Sequence, residues 1–564
     1  MDSLAALGQR LPSLLEGTLV PLAQGAQDTR GTLNQHLATY EPLLLMALTA
    51  LCTIVFGHLA DRVAHAAKDI RCDGLKAYLI RAGISTLMAV PMVRRLKEKE
   101  LGKVMQKLSS QHAPRDNRVV ALPPKGLTAQ QVVSRLSELQ SKEPPWKGRC
   151  SGTVYMGDLK SKKYDSHMKL LSQAYSMFAH TNPLHADRFP AVKVMEAEVV
   201  AMVADFVGGN VDETDVCGNV TTGGSESLLM AVKATRDYMK ATRGIHQPEL
   251  VMCESAHSAF DKACSYFNIR LVRTRAKRNG TADVDAMRAA ISENTIMLVA
   301  SAPGYPHGVL DPVEQIATLA LEAGVCLHVD CCLGGFVLPF ARNHLKCDIG
   351  AFDFTVPGVT SMSVDTHKYG LASKGSSVVL FKNKTIRGYM FTACTEWSGG
   401  LYISPTMTGS RAGGSIAAAW AALLHVGLDG YVEATDTLLK CKDELVSGIP
   451  KIRSLYIVGK PVSTVVAFGS RRYDIFKVND EMTAKGWELN ALQKPNAIHI
   501  ALTLQHVNEV GRFLKDLEDS VVNVMSNKGK TKGMAPIYGM ASAMPDRGAI
   551  GDLMVAFMNT STDA

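Results

Sequence analysis

The chain has 564 residues and a mean hydropathy of +0.04, with 46% hydrophobic and 20% charged residues. This composition excludes a mainly disordered chain, because it supplies ample apolar surface for a large core, and it excludes a polytopic membrane protein, because only one segment is apolar enough to span. The net charge of +8 is uneven: residues 61–107 carry eleven basic and five acidic side chains, and the residues after them a net charge of only +4. We therefore expect no nucleic-acid partner.

The first predicted element is an apolar segment at residues 42–60, which contains no Lys, Arg, Asp or Glu. Its length matches the ~20 residues of a membrane-spanning helix. The basic residues that follow it place that side in the cytosol by the positive-inside rule. We expect a single N-terminal transmembrane helix, preceded by a short lumenal N-terminus at 1–41 and followed by a basic juxtamembrane linker at 61–114. A buried core helix of a soluble domain is the alternative.

The twelve cysteines are scattered along the chain, with no C-x-x-C pair and no zinc-type cluster with nearby histidines. This spacing favours a reduced, cytosolic body with mostly buried thiols. We therefore expect no metal site.

From residue 189 to about 391, helical patterns alternate with short apolar strands, which predicts an α/β domain with a mostly parallel sheet. Beyond about residue 415 the pattern changes to that of a smaller α+β domain. We assign 115–188 to an N-terminal segment, 189–414 to the large domain and 415–564 to the small domain. The predicted strands are 250–253, 269–272, 296–300, 326–329, 464–468 and 498–504, and the predicted helices include 129–139, 228–238, 283–291, 312–323, 416–426 and 508–524.

Four motifs in the α/β region carry chemistry, and the first is TTGGSES at 221–227, just before a predicted helix. A glycine-hydroxyl turn at a helix N-terminus offers free N–H groups and the positive end of the helix dipole, which suits a phosphate. Gly223, Gly224 and Ser225 are the candidates to bind it. An ordinary helix cap by Ser225 would explain the same pattern.

The other three motifs follow predicted strands. Asp330 ends one strand, and an acid at the carboxyl end of a parallel strand points into the ligand crevice. His257 follows another strand, and Lys368 follows His367 in SVDTHKYG at 363–370. A lysine that forms a Schiff base needs a depressed pKa, which a cationic neighbour and desolvation would supply. Taken singly, such residues are more often a helix-capping Asp or a surface Lys.

Along the chain the glycine-rich turn is followed by His257, then Asp330, then His367 and Lys368, and in this order the four motifs resemble fold-type-I pyridoxal-phosphate enzymes of the group II decarboxylase kind. The chain closely resembles the sphingosine-1-phosphate lyase family. The likeness covers about residues 115–545, and the anchor at 42–60 matches the architecture of the family. The motifs that add to it are SGTVY at 151–155, TNPLH at 181–185, THKYG at 366–370, KGSS at 374–377, GSRAGG at 409–414 and MTAKGW at 482–487.

The resemblance implies a fold-type-I, transferase-like large domain that binds pyridoxal 5'-phosphate. Lys368 would hold the cofactor covalently, Asp330 would pair with the pyridine nitrogen, and His257 would stack on the ring. The cofactor phosphate would lie on the turn described above. The cofactor-binding residues implied in this way are Lys368, Asp330, His257, Gly223, Gly224, Ser225, His328, Ser376 and Gly413.

The implied reaction is retro-aldol cleavage of sphingosine 1-phosphate and related phosphorylated sphingoid bases to a long-chain aldehyde and phosphoethanolamine. Tyr155, His185 and Lys374 would meet the phosphate and hydroxyl of the substrate, since a basic, hydrogen-bonding pocket suits a phosphate dianion. The base that removes the C3 hydroxyl proton is left open among Tyr155, His367 and Lys374. An amino-acid decarboxylase with the same cofactor and a catalytically dead membrane scaffold are the alternatives.

The resemblance also implies a homodimer with shared active sites, because the loop at 409–414 would reach the neighbouring subunit. It implies a single-pass protein of the endoplasmic reticulum membrane with its catalytic domain in the cytosol. Three positions depart from the family: Ser225 replaces Thr, Cys331 replaces Ala and Ala412 replaces Pro. We expect Ser225 to keep the phosphate contact, Cys331 to crowd the cofactor ring slightly and Ala412 to leave its loop less rigid.

Overall fold

The computed structural model describes residues 119, 121–143, 148–157, 166–526, 551–552, 554–556 and 558–559. The predicted lumenal segment, transmembrane helix and linker, which together cover 1–114, lie outside the described residues.

The large domain is built on a seven-stranded sheet with the order β1-β7-β6-β5-β4-β2-β3. Strands β2 to β6 run parallel to one another, and β7 is antiparallel to both of its neighbours, β6 and β1. The predicted α/β domain with a mostly parallel sheet is therefore confirmed. The strands are β1 (Cys217–Thr221), β2 (Glu249–Cys253), β3 (Arg270–Thr274), β4 (Thr295–Ser301), β5 (Cys326–Asp330), β6 (Val359–Val364) and β7 (Ser377–Phe381).

Helices cover this sheet, and every residue of β2, β4, β5 and β7 is buried. Continuous burial is typical of parallel sheets whose two faces are both covered, and it explains the uninterrupted apolar runs in the sequence. The described helices are α1 (Ala129–Gln140), α2 (His167–Phe178), α3 (Pro190–Phe206), α4 (Gly224–Arg243), α5 (Ala259–Tyr266), α6 (Val284–Ala290), α7 (Val313–Ala323), α8 (Leu338–Asn343), α9 (Lys384–Gly388), α10 (Gly413–Gly448), α11 (Ile475–Ala484) and α12 (Val510–Met525).

Local signals set the ends of these helices. Asp283 caps α6 by accepting hydrogen bonds from the backbone N–H groups of Asp285 and Ala286. Helices α4 and α7 end at Gly244 and Gly324, which adopt the left-handed conformation that glycine accepts without a Cβ clash. The observed bounds therefore lie within a few residues of the predicted helices at 283–291 and 312–323.

Helix α10 is much longer than the predicted helix at 416–426, because two helical segments continue across a kink at Gly427 (φ 67°). With the turn of 3-10 helix that follows it, α10 spans Gly413–Lys451 and is the one helix, among the residues described, long and apolar enough to cross a membrane. More than half of its apolar window, 56%, is buried inside the protein. It packs against α2 and α3, so its apolar character is explained by a position in the core.

The small domain contains a four-stranded antiparallel sheet with the order β10-β11-β13-β12, flanked by α11 and α12. Trp487 and Phe513 meet edge to face in its core, with ring centroids 5.0 Å apart. An α+β arrangement in this part of the chain agrees with the sequence pattern. The remaining strands are β8 (Thr392–Cys394) and β9 (Tyr402–Ser404), which form a two-stranded ribbon, and β10 (Leu455–Ile457), β11 (Val465–Ser470), β12 (Asn490–Leu492) and β13 (Ala497–Ala501).

Candidate active site

The loops that follow β1, β2, β5 and β6 meet around a cavity of about 340 Å³. These four strands end at the same edge of the sheet, where open α/β folds bind their ligands. Seven of the residues predicted from the sequence line this cavity: Gly223, Gly224, Ser225, His257, Asp330, His367 and Lys368. Thr222, Glu226, Leu228, Cys332 and Asp365 complete the lining.

Lys368 is paired with Asp365, the most important residue that the sequence analysis missed. The amine Nζ lies 2.9 Å from Asp365 Oδ2. Burial lowers the pKa of Lys368, but the negative charge of Asp365 outweighs that effect and raises the pKa above its ordinary value. The expectation of a depressed lysine pKa is therefore wrong for this structure. The i, i+3 spacing of the two residues in one motif was the signal available for finding the pair.

The turn at 221–227 places the N-terminus of α4 at the cavity. Helix α4 begins at Gly224 with Gly223 as its N-cap, and no side chain caps it, so the alternative role of Ser225 as a helix cap is not observed. A Cβ on Gly224 would lie 2.7 and 2.8 Å from the two oxygens of Asp365. Only glycine therefore lets the backbone approach this closely.

Hydrogen bonds orient the two other cavity residues that follow strands. Asp330 Oδ1 accepts from the backbone N–H of Cys332 at 3.1 Å and from the hydroxyl of Ser363 at 3.4 Å. His257 Nδ1 accepts from the backbone N–H of Ala259 at 3.0 Å. Both side chains are therefore held against the cavity in one orientation.

His328 lies two residues before Asp330 and is fully buried, outside the lining of the cavity. Its ring nitrogens lie 2.8 Å from the hydroxyl of Ser361 and 3.2 Å from that of Ser363. Burial lowers its pKa to about 4. Because Ser363 also bonds Asp330, His328 supports the site from behind.

His367 and Ser376 are joined through the backbone. The N–H of Ser376 donates to His367 Nδ1 at 3.3 Å. The Ser376 hydroxyl accepts a hydrogen bond from the Thr366 hydroxyl at 2.7 Å and donates one to the carbonyl of Ser373 at 3.3 Å. Ser376 thus lies behind the cavity and orients His367, whose pKa is lowered mainly by burial.

Tyr155 and Lys374 form a pair beside the cavity. Lys374 Nζ lies 4.8 Å from the centroid of the Tyr155 ring, within the range of a cation–π contact. Burial raises the pKa of Tyr155 to about 12, whereas burial and the charge of Lys368 lower the pKa of Lys374.

The motifs at 181–185 and 409–414 form one block outside the cavity lining. Asn182 Oδ1 accepts from the backbone N–H of Arg411 at 3.1 Å, and its amide donates to the Ser410 hydroxyl at 3.1 Å. The N–H of Gly413 donates to the Thr181 carbonyl at 3.1 Å, and a Cβ on Gly413 would collide with the Thr181 side chain. His185, in the same block, is exposed.

The adjacent thiols at 331 and 332 have different surroundings. Cys331 is fully buried and its Sγ lies 3.2 Å from the carbonyl oxygen of Ala302, whereas Cys332 lines the cavity. The larger side chain at 331 is therefore accommodated in the core, and the expected crowding of the cofactor ring by Cys331 is not supported.

The cavity suits pyridoxal phosphate. It offers a helix N-terminus for a phosphate, a carboxylate from Asp330, an imidazole from His257 and a primary amine from Lys368. Asp365 Oδ1 is buried without a hydrogen-bond partner in the structure, which indicates that this side of the cavity is built to face a further polar group.

Known proteins match the chain over most of its length. The family model for the pyridoxal-dependent decarboxylase conserved domain matches residues 160–471. A sphingosine-1-phosphate lyase of Arabidopsis thaliana is 48% identical over 537 residues, which are 94% of this chain and 97% of that protein. Sphingosine-1-phosphate lyase 1 of Mus musculus is 42% identical over 534 residues, 93% of this chain and 91% of that protein.

The fold has a counterpart among solved structures. The sphingosine-1-phosphate lyase of Burkholderia pseudomallei superposes with a TM-score of 0.70 at 37% identity, covering 73% of this chain and 95% of that one. Sequence identity over nearly the whole chain and a shared fold lead to the same assignment. The chain belongs to the sphingosine-1-phosphate lyase family of pyridoxal-dependent enzymes.

Proposed function

We propose that this chain is a carbon–carbon lyase that cleaves sphingosine 1-phosphate and related phosphorylated sphingoid bases to a long-chain aldehyde and phosphoethanolamine. One observation carries the proposal: four motifs far apart in the sequence line a single cavity around Lys368, in a chain that is 48% identical to a sphingosine-1-phosphate lyase over 94% of its length. Pyridoxal phosphate, when bound, supplies the electron sink for the broken C2–C3 bond.

Each cavity residue is assigned to a different part of the cofactor. Lys368 would attach it covalently, and the Asp330 carboxylate would keep the pyridine nitrogen protonated. The His257 imidazole would pack against the ring. The backbone N–H groups at Gly223, Gly224 and Ser225 bind the phosphate, supported by the positive end of the α4 dipole.

We assign the removal of the C3 hydroxyl proton to Lys374. Its Nζ lies 4.8 Å from the centroid of the Tyr155 ring beside the cavity, and burial and the charge of Lys368 lower its pKa, which favours the neutral amine that accepts a proton. Tyr155 has a raised pKa and stays protonated, which suits a hydrogen-bond donor to the substrate. His367 Nδ1 accepts the backbone N–H of Ser376, and its Nε2 lies 3.8 Å from Asp365 Oδ2.

Product analysis tests this function. The purified chain with pyridoxal phosphate should convert a phosphorylated sphingoid base to aldehyde and phosphoethanolamine, both measured by mass spectrometry. Lys368→Ala should lose this activity together with the visible absorbance of the lysine-bound cofactor, whereas the exposed-lysine variant Lys382→Ala should keep both. Carbon dioxide released from amino acids instead would identify a decarboxylase, and a wild-type chain without the absorbance band would indicate a dead scaffold.

The proposed assembly is a homodimer with shared active sites. The block that contains His185 and the loop at 409–414 lies outside the cavity of its own chain, so it is available to a neighbour. The β8–β9 ribbon exposes large apolar side chains of the kind that interfaces cover: Trp397 (58%), Leu401 (85%) and Ile403 (59%).

Subunit mixing tests the shared sites. Lys368→Ala and His185→Ala chains are each expected to be inactive, but a hybrid dimer would contain one intact site. Random exchange should therefore restore about a quarter of the wild-type activity. No recovery after proven exchange would place both residues in the same site of one chain and contradict the shared arrangement.

The apolar segment at 42–60 and the basic residues after it support a single-pass anchor in the endoplasmic reticulum membrane, with the body in the cytosol. The chain should resist carbonate extraction from microsomes, and protease added outside them should digest the catalytic body. Release of the chain by carbonate would contradict the anchor.

A further inference from the structure

Two buried carboxylates contact the segment at 405–414: Glu226, which also contacts the phosphate-binding turn, and Glu196, which also contacts the end of β1 just before that turn. Glu196, from α3, is 8% exposed, and Glu226, from the first turn of α4, is 9% exposed. Glu226 also lines the cavity. A carboxylate next to a phosphate-binding site weakens phosphate binding by charge repulsion. Glu226 is therefore expected to have a role other than binding the ligand.

Glu196 joins the end of β1, just before the turn, to Arg411. Its Oε1 accepts the backbone N–H of Val220 at 3.1 Å. The Arg411 guanidinium donates to both carboxylate oxygens, at 2.5 and 2.9 Å, and its side chain is only 9% exposed. A bidentate ion pair shielded in this way has a defined geometry, so Val220 and Arg411 cannot move apart without leaving a buried charge unpaired.

Glu226 makes a similar connection two residues further along the chain, inside the turn. Its Oε2 accepts the backbone N–H and the hydroxyl of Thr222, each at 2.6 Å. Its Oε1 accepts the backbone N–H of Met407 at 3.0 Å. Displacing either Thr222 or Met407 would remove a hydrogen bond from a buried carboxylate, which is costly, and the two backbone positions are therefore linked.

From these contacts we propose that Glu196 and Glu226 are positioning residues that couple cofactor binding at the turn to subunit association at the 405–414 segment. The inference rests on the proposed function, in which the turn binds the cofactor phosphate and the segment faces the neighbouring subunit. A phosphate on the turn orders residues 220–224, and the two carboxylates transmit this order to Met407 and Arg411. Because linkage is reciprocal, association of the subunits tightens cofactor binding by the same factor.

The test measures two quantities that should be equal: the factor by which the cofactor tightens the dimer, and the factor by which dimerisation tightens cofactor binding. The dimer dissociation constant of the full chain in detergent is measured by energy transfer between labelled subunits, with and without saturating pyridoxal phosphate. The cofactor dissociation constant is measured by absorbance titration above and below the dimer concentration range. We expect pyridoxal phosphate to tighten the wild-type dimer about tenfold or more. Glu226→Gln, Glu196→Gln and Arg411→Lys should each bring this factor close to one.

Arg411→Lys keeps the charge but loses the bidentate geometry, so it tests coupling even where a carboxylate variant folds poorly. The matched control is Glu249→Gln, which alters a buried carboxylate paired with Arg270 at the opposite end of β2. It should keep the wild-type factor. The inference would be overturned by variants that weaken cofactor binding or subunit association but leave the effect of the cofactor on the dimer dissociation constant unchanged. It would also be overturned by a wild-type dimer whose dissociation constant is the same with and without the cofactor. A wild-type chain that forms no dimer would overturn the proposed assembly as well.

Discussion

At the scale of single residues, the charge on Lys368 is controlled by a carboxylate three positions earlier. Burial of an amine favours its neutral form, but Asp365 at 2.9 Å favours the ammonium more strongly. Covalent capture of the cofactor needs the neutral amine. Loss of a proton from Lys368 is therefore part of cofactor loading, and the rate of loading should rise with pH.

Asp365→Asn should move the pH dependence of cofactor loading to lower pH. Removing the carboxylate leaves burial as the dominant effect on Lys368 and so lowers its pKa. The measurement is the rate of appearance of the lysine-bound absorbance between pH 6 and 10. Glu249→Gln, remote from the cavity, should keep the wild-type profile, and an unchanged profile in Asp365→Asn would show that Asp365 does not control the amine.

At the scale of helices and strands, α10 packs in the core although one part of it is apolar enough to cross a membrane. Its small residues Ala418, Ala421 and Ala422 pack around Leu171 of α2, which is fully buried. Alanines allow the two helices to approach closely. At its N-terminus α10 also begins with Gly413, which is bonded to Thr181, so this packing fixes the block that contains His185.

Leu171→Ala should destabilise the protein by about 3 kcal/mol, because it removes buried methyl groups and leaves a cavity between α2 and α10. The measurement is the free energy of unfolding in urea. Met177→Ala, on the same helix but 62% exposed, should change it by no more than about 0.5 kcal/mol. Equal effects of the two substitutions would contradict the assignment of α10 to the core.

At the scale of the whole molecule, buried histidines make stability depend on pH. Burial lowers the pKa of His328, His499 and His506 from 6.5 to about 4. Between these values the unfolded chain binds protons that the folded chain excludes. The stability from each group is therefore complete above pH 6.5 and is lost as the pH falls toward 4. Asp311 acts in the opposite direction, because burial raises its pKa to about 6, but the three histidines outweigh it.

We expect the free energy of unfolding to fall by several kcal/mol between pH 6.5 and 4, since each histidine contributes about 3 kcal/mol. Urea unfolding at fixed pH values measures this. His506→Asn keeps an acceptor for the Thr503 backbone N–H but cannot be protonated, so the free energy of unfolding should depend less steeply on pH in this variant. The exposed-histidine variant His246→Gln should not. A slope that is unchanged in His506→Asn would show that His506 is protonated in the folded state.

The sequence by itself determined the type of fold and the centre of the site. Alternation of apolar runs and helical patterns follows from how strands and helices expose their faces, and this local property placed β2, β4 and β5 within a few residues. Asp330 ends a predicted strand, so the rule for carboxyl ends of parallel strands predicted that it faces the ligand crevice, and the family resemblance added His257 and Lys368 to the same site. The family resemblance supplied the cofactor and the substrate class.

Only the tertiary structure decided which side chains face one another. Glu196 and Arg411 are 215 residues apart, and no local periodicity links them. The adjacent residues Cys331 and Cys332 both follow β5, but Cys332 lines the cavity and the side chain of Cys331 contacts the carbonyl of Ala302 in the core. The charge on Lys368 likewise depends on the distance to Asp365. Pairing, burial and pKa are set by distances in space, whereas the sequence pattern records only distances along the chain.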